Sequence, residues 1–108
     1  MVDIFNQTKE RLLKYTKINT RSDESSDTIP STAIQFDLLK LLVIELEQLG
    51  LEDVELSPTN AFVTATLPAN TDEPLPAIGF IAHVDTADFN SVNVQPQIHE
   101  NYDGKDIV

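Results

Sequence analysis

One stretch limits the folds open to this chain more than any other: Ala77-Ile78-Gly79-Phe80-Ile81-Ala82-His83-Val84-Asp85-Thr86. It begins as a short apolar run of small and bulky hydrophobic residues, which reads as a buried β-strand. At its end it meets a histidine and an aspartate two residues apart. Side chains alternate faces along a strand, so His83 and Asp85 share a side, roughly 6.5–7 Å apart along the chain. A buried strand whose last residues turn polar delivers them to the carboxyl edge of a sheet, where open α/β folds place their ligands. His83 and Asp85 are therefore the candidate site.

The rest of the chain supplies elements that such a strand could join. Residues 3–18 carry Ile4, Phe5, Leu12, Tyr15 and Ile18 near one helical face, with Asp3 placed as N-cap. Residues 20–30 are polar and acidic, yet lack the ligand spacing and turn glycine of a calcium loop, so they read as a solvated loop. A second helix is predicted from Ser31 or Thr32, with Thr32 and Gln35 as a capping box and Gly50 closing its C-terminus. Its stripe of Ile34, Leu38, Leu41, Leu42, Glu45 and Leu49 is widened by Leu39, Val43, Ile44 and Leu46, the pattern of a helix covered on more than one side. Residues 53–57 and 61–67 then read as a hairpin joined through Pro58-Thr59-Asn60, and residues 92–98 as extended, with Pro96 off the ladder.

Helix, helix, hairpin and buried strand, in that order, imply an α/β fold with helices on a mixed sheet. A strand buried on both faces needs more cover than two helices give. The chain also stops on Ile107-Val108 with neither turn nor polar tail. It is accordingly expected to be the N-terminal part, residues 1–108, of a longer three-layer domain. Apolar faces left bare would make it prone to self-association.

Charge and composition exclude several function classes. Seven basic against 18 acidic residues give a formal net charge of −11, which disfavours nucleic acid and anionic membranes as partners. There is no cysteine, so disulfides, thiolate metal sites and cysteine nucleophiles are out, and any metal must use His, Asp or Glu. No signal-peptide core and no membrane-length apolar run is present, so the expected location is cytoplasmic. No Gly-x-Ser-x-Gly elbow or phosphate-cradling glycine loop occurs, and Ser31, Ser57 and Ser91 have no base at readable spacing.

Metal chemistry at His83 is what the pattern leaves. Neutral imidazole is a good zinc ligand, and a nearby carboxylate fixes its tautomer and raises its basicity. The spacing allows Asp85 either that role or direct ligation. A catalytic zinc takes three protein ligands and one open position. The remaining donors on this chain, His99, Asp88, Glu100, Asp103 and Asp106, have no spacing that compels them to the same place.

Taken together, several segments resemble a known family. They are Ile29-Pro30-Ser31-Thr32, Leu46-Glu47-Gln48-Leu49-Gly50-Leu51, Ala65-Thr66-Leu67-Pro68-Ala69-Asn70, Pro76 through Thr86, Asn93-Val94-Gln95-Pro96-Gln97-Ile98 and Glu100-Asn101-Tyr102. The chain is similar along nearly all its length to the N-terminal part of the cocatalytic two-zinc exopeptidases and deacylases. His-Val-Asp-Thr after an apolar strand belongs to the wider family, and the Asn-x-x-Pro-Gln-Ile and Glu-Asn-Tyr pieces resemble its tripeptide aminopeptidases. The resemblance implies that His83 is a zinc ligand and Asp85 the catalytic aspartate that orients it. It implies two zincs activating a water against a tripeptide's scissile carbonyl. The family's bridging aspartate, adjacent Glu-Glu pair with its general base, remaining carboxylate, second histidine and lid domain have no counterpart in the 108 residues. The chain alone is thus expected to be inactive and to hold two zincs poorly. A dipeptidase or deacylase of the same family is the rival enzyme, and a non-catalytic small α/β module the rival from another class.

Overall fold

A computed structural model of the chain describes residues 3–107. Its elements, in order, are helix α1 (Ile4–Tyr15), helix α2 (Gln35–Gln48), and strands β1 (Glu52–Leu56) and β2 (Val63–Thr66). The order helix, helix, hairpin is the one the sequence implies. Val108, part of the apolar end noted above, lies outside the described residues.

α1 starts where its cap requires. Asp3 Oδ1 accepts the backbone N–H of Asn6 at 3.0 Å, satisfying one of the amides a helix start leaves free. That backbone bond, reinforced by the Asn6 side chain, holds the Asp3 carboxyl below its usual range. The helix stops at Tyr15, short of Ile18, and closes with Thr16 N–H on the Leu12 carbonyl.

α2 begins at Gln35, later than the capping box predicts, and its N-cap residue Ile34 makes no side-chain cap. The reason is that the Thr32 hydroxyl is used elsewhere: it donates to the Arg21 carbonyl at 2.6 Å. Gln35 Nε2 reaches back to Ser31 Oγ and Thr32 Oγ1 at 3.2 Å each, tying the helix start to the loop before it. The C-terminal reading holds. Gly50 sits at φ +83°, with its N–H on the Glu47 carbonyl and the Leu51 N–H on the Leu46 carbonyl, a Schellman closure.

β1 and β2 pair antiparallel, with Glu55 opposite Thr64 and Leu56 opposite Val63. The register slips between Glu52 and Glu55, where Asp53 takes φ 50°. The link through Pro58-Thr59-Asn60 is closed by Ser57 N–H on the Phe62 carbonyl at 2.8 Å, with Ala61 at φ 56°. α2 lies against both strands, and its Leu38 and Leu39 are buried, at 5% and 3% exposure. These two leucines are the core among the described residues, so the α2 stripe is covered from the hairpin side, and Ile44 remains half exposed at 51%.

α1 buries no residue; Ile4, Phe5 and Leu12 stay exposed. It is fastened by polar contacts to one side chain of α2. Lys14 Nζ lies 2.6 Å from Glu45 Oε1, Tyr15 Oη donates to Glu45 Oε2, and Arg11 Nε stands 3.8 Å away. This explains a glutamate in the apolar stripe of α2. Burial alone would raise the Glu45 carboxyl, but the Lys14 and Tyr15 bonds outweigh it and hold the group below its ordinary range. Burial, followed by the bond to Glu45, pushes the Tyr15 phenol up to about 12.

The predicted buried strand at 77–83 is not one. Those residues pair with no strand, and Ile78, Phe80 and Ile81 are 81%, 95% and 100% exposed. Among the described residues, no backbone–backbone hydrogen bond involves residues 76–85. The expected pair of helices on a mixed sheet is accordingly, among the described residues, one helix on a two-stranded antiparallel hairpin. The physical reason is a shortage of partners. An interior strand needs ladder neighbours and cover on both faces, while α2 is committed to the hairpin and α1 to Glu45. Residues 92–98 likewise form no strand; Val92 and Asn93 turn, with Asn93 at φ 57°.

The dimensions express the same shortage. The radius of gyration is 17.2 Å, against about 13 Å for a compact chain of this size. The accessible surface is 9253 Å², where a compact protein of this mass has about 6,000 Å².

Candidate functional site

His83 and Asp85 are brought together. His83 Nδ1 and Asp85 Oδ1 are 3.1 Å apart, as side chains on one side of an extended segment allow. A carboxylate can only accept, so Nδ1 carries the proton in this contact and Nε2 is the ring nitrogen left to a ligand. The ring is open to solvent, with 84% of the His83 side chain exposed and 46% of that of Asp85. A pair this exposed contributes at most about 1 kcal/mol and cannot hold its own geometry against side-chain rotation.

The chain just after Asp85 is held from outside. Thr86 forms a parallel bridge with Arg21: Thr86 N–H donates to the Thr20 carbonyl at 3.0 Å, and Ser22 N–H donates to the Thr86 carbonyl at 2.9 Å. Arg21 Nε and Nη2 both converge on Asp88 Oδ1 at 2.6 Å. Ser91 Oγ donates to Asn19 Oδ1 at 2.7 Å, and the same oxygen accepts the Arg21 N–H. Thr20 is 2% exposed beneath this contact. The start of the loop read from sequence as solvated, residues 20–22, together with Asn19 before it, is thus the anchor of the 86–91 segment. Sequence reasoning missed it because a bridge between positions so far apart has no local signature. Asp88, named as a metal donor, is instead the partner of Arg21.

The other named donors lie apart. His99, Glu100, Asp103 and Asp106 line a shallow basin of about 340 Å³ with Tyr102 and Lys105, and neither His83 nor Asp85 borders it. There the Lys105 side-chain and backbone bonds hold the Asp103 carboxyl below its usual range. His99 is exposed, as its sequence position suggests. Among the described residues, no group of three His, Asp or Glu side chains is placed to hold a metal. A tetrahedral zinc site needs at least three such donors. The chain's own donor set therefore does not fit a complete zinc centre. It offers one oriented imidazole. No helix among the described residues is long and apolar enough to cross a membrane.

No protein-family model matches the chain. Curated proteins do. Peptidase T of Fusobacterium nucleatum is 55% identical over 96% of this chain and 25% of its own length. Peptidase T of Limosilactobacillus fermentum is 53% identical over 89% of the chain and 23% of its own length. Peptidase T of Enterococcus faecalis is 55% identical over 91% of the chain and 24% of its own length. The matched stretch takes in most of the described fold, including the segment that carries His83 and Asp85. The chain is thus related to Peptidase T along nearly its whole length, and spans about a quarter of each of these relatives.

Proposed function

We propose that the chain is the N-terminal part of a zinc-dependent tripeptide aminopeptidase, within the catalytic domain, and that it is inactive by itself. The likeness to Peptidase T over 96% of the chain carries this reading. The His83–Asp85 contact supports it, because an imidazole with Nδ1 held by a carboxylate presents Nε2 to a metal. His83 would be one metal ligand and Asp85 the carboxylate orienting it. Since the donors present do not complete a metal site, no catalytic step is assigned to these residues beyond that presentation. The exposed run at 77–82 would be an interior strand of the longer domain, which accounts for its composition. The substrate would be a tripeptide, with neither nucleic acid nor membrane as partner, and the compartment the cytoplasm.

A chimera tests this. Residues 1–108 replace the matching stretch of the Fusobacterium nucleatum Peptidase T, and release of the N-terminal residue is measured on tripeptides, dipeptides and acylated amino acids. The reading requires zinc-dependent cleavage that favours tripeptides. Preference for dipeptides or acylated substrates would move the chain to the rival enzyme class. A folded chimera with no hydrolase activity would favour the non-catalytic module.

A further inference from the structure

The His83–Asp85 pair is too exposed to fix its own geometry, yet the backbone following it is fastened at one place. Apart from the Ser91–Asn19 bond, the ties there gather on Arg21 and the peptides flanking it. Its N–H meets Asn19 Oδ1, its carbonyl accepts from Thr32 Oγ1, and its guanidinium holds Asp88. The peptides on either side of it form the two bridge bonds to Thr86. Through Thr32 and Gln35, the same residue is connected to the first turn of α2, which sits on the hairpin. The folded half of the molecule therefore reaches the candidate site through Arg21.

We infer that Arg21 is a positioning residue: by pairing with Asp88 and bridging to Thr86 it fixes the chain directly after Asp85, and so keeps the Asp85 carboxylate on Nδ1 of His83. Without it, the 77–91 segment has no other charged tie to the folded half among the described residues. Asp85 would then sample rotamers and backbone angles that release the ring. That the pair serves catalysis rests on the reading under Proposed function; the clasp does not.

The test uses the whole 108-residue chain carrying isotope-labelled histidine, with His99→Gln so that His83 alone reports. Ring-nitrogen shifts are read at alkaline pH, where a free imidazole is neutral. The unsubstituted clasp should show the Nδ1–H tautomer. Arg21→Ala and Asp88→Asn should each lose it, and the Thr86 and Ser22 amides should exchange about tenfold faster, as the loss of a charge-assisted hydrogen bond implies. Arg21→Asp combined with Asp88→Arg should recover both signals. If the amides open while the tautomer stays, Arg21 is structural only and the inference fails. It also fails if neither signal moves. Should Arg21→Ala lose its helical circular dichroism, Asp88→Asn and the charge swap decide. The measurement contains neither metal nor peptide, so failure of the peptidase reading would leave it unchanged.

Discussion

At the scale of single residues, a carboxylate two positions after a histidine decides which ring nitrogen is free. In the chimera, Asp85→Asn keeps the volume but can donate through its amide, so the tautomer is no longer enforced. Activity or zinc affinity should drop about 10- to 100-fold, the range seen when a ligand's orienting partner is removed. His83→Ala, which deletes the proposed ligand itself, should cost more. Glu45 is a second residue with a defined task. Glu45→Ala should weaken the docking of α1 by about 1–3 kcal/mol, since it strips Lys14 and Tyr15 of their acceptor. The pH dependence has two flanks. Glu45 titrates below its ordinary 4.5 in the fold, so its contribution is complete above that value and is lost as pH falls through the lower one. Tyr15 is raised from 10.0 to about 12, so its contribution is complete below 10.0 and is lost as pH rises toward about 12. With Tyr102→Phe removing the other phenol, ultraviolet titration should place Tyr15 near the upper value, and Glu45→Gln should bring it down.

At the scale of elements, what the sequence revealed was whatever local chemistry decides. Asp3 caps α1 because its side chain reaches an amide three residues on, and Gly50 ends α2 because φ +83° penalises any other residue. Gly50→Ala should therefore destabilise α2 by about 1 kcal/mol, seen as a lower urea midpoint of the helical signal, although nothing lies within 4 Å of the added methyl. The hairpin was legible for the same reason, through its turn residues. Longer-range facts were not. Thr32 fits a capping box equally well whether its hydroxyl serves α2 or Arg21, and only the tertiary arrangement selects the second. The run at 77–82 shows what a segment can bury, but apolar residues do not supply the neighbours that bury it. The contact of His83 with Asp85 was legible from their spacing, whereas the clasp at Arg21 and Asp88 joins distant positions and left no periodicity to read.

At the scale of the whole molecule, a small folded half carries a long, open one. Ile78, Phe80 and Ile81 project from a backbone whose N–H and C=O groups have no ladder partner, which is the condition for pairing with another chain. For the isolated 108 residues the occupant should be a second copy, because the surface in excess of a compact protein is larger than an ordinary protein interface buries. Light scattering should show concentration-dependent association, reduced by Phe80→Lys with Ile81→Lys, and a monomer at high concentration would contradict it. The proposed function has this chain present one imidazole to a metal centre whose other donors are not among the described residues. Incubating the purified chain with zinc and a tripeptide, and measuring the freed N-terminal residue, tests that most directly. No release above the metal-only control is expected, and sustained release that His83→Ala abolishes would overturn the proposal.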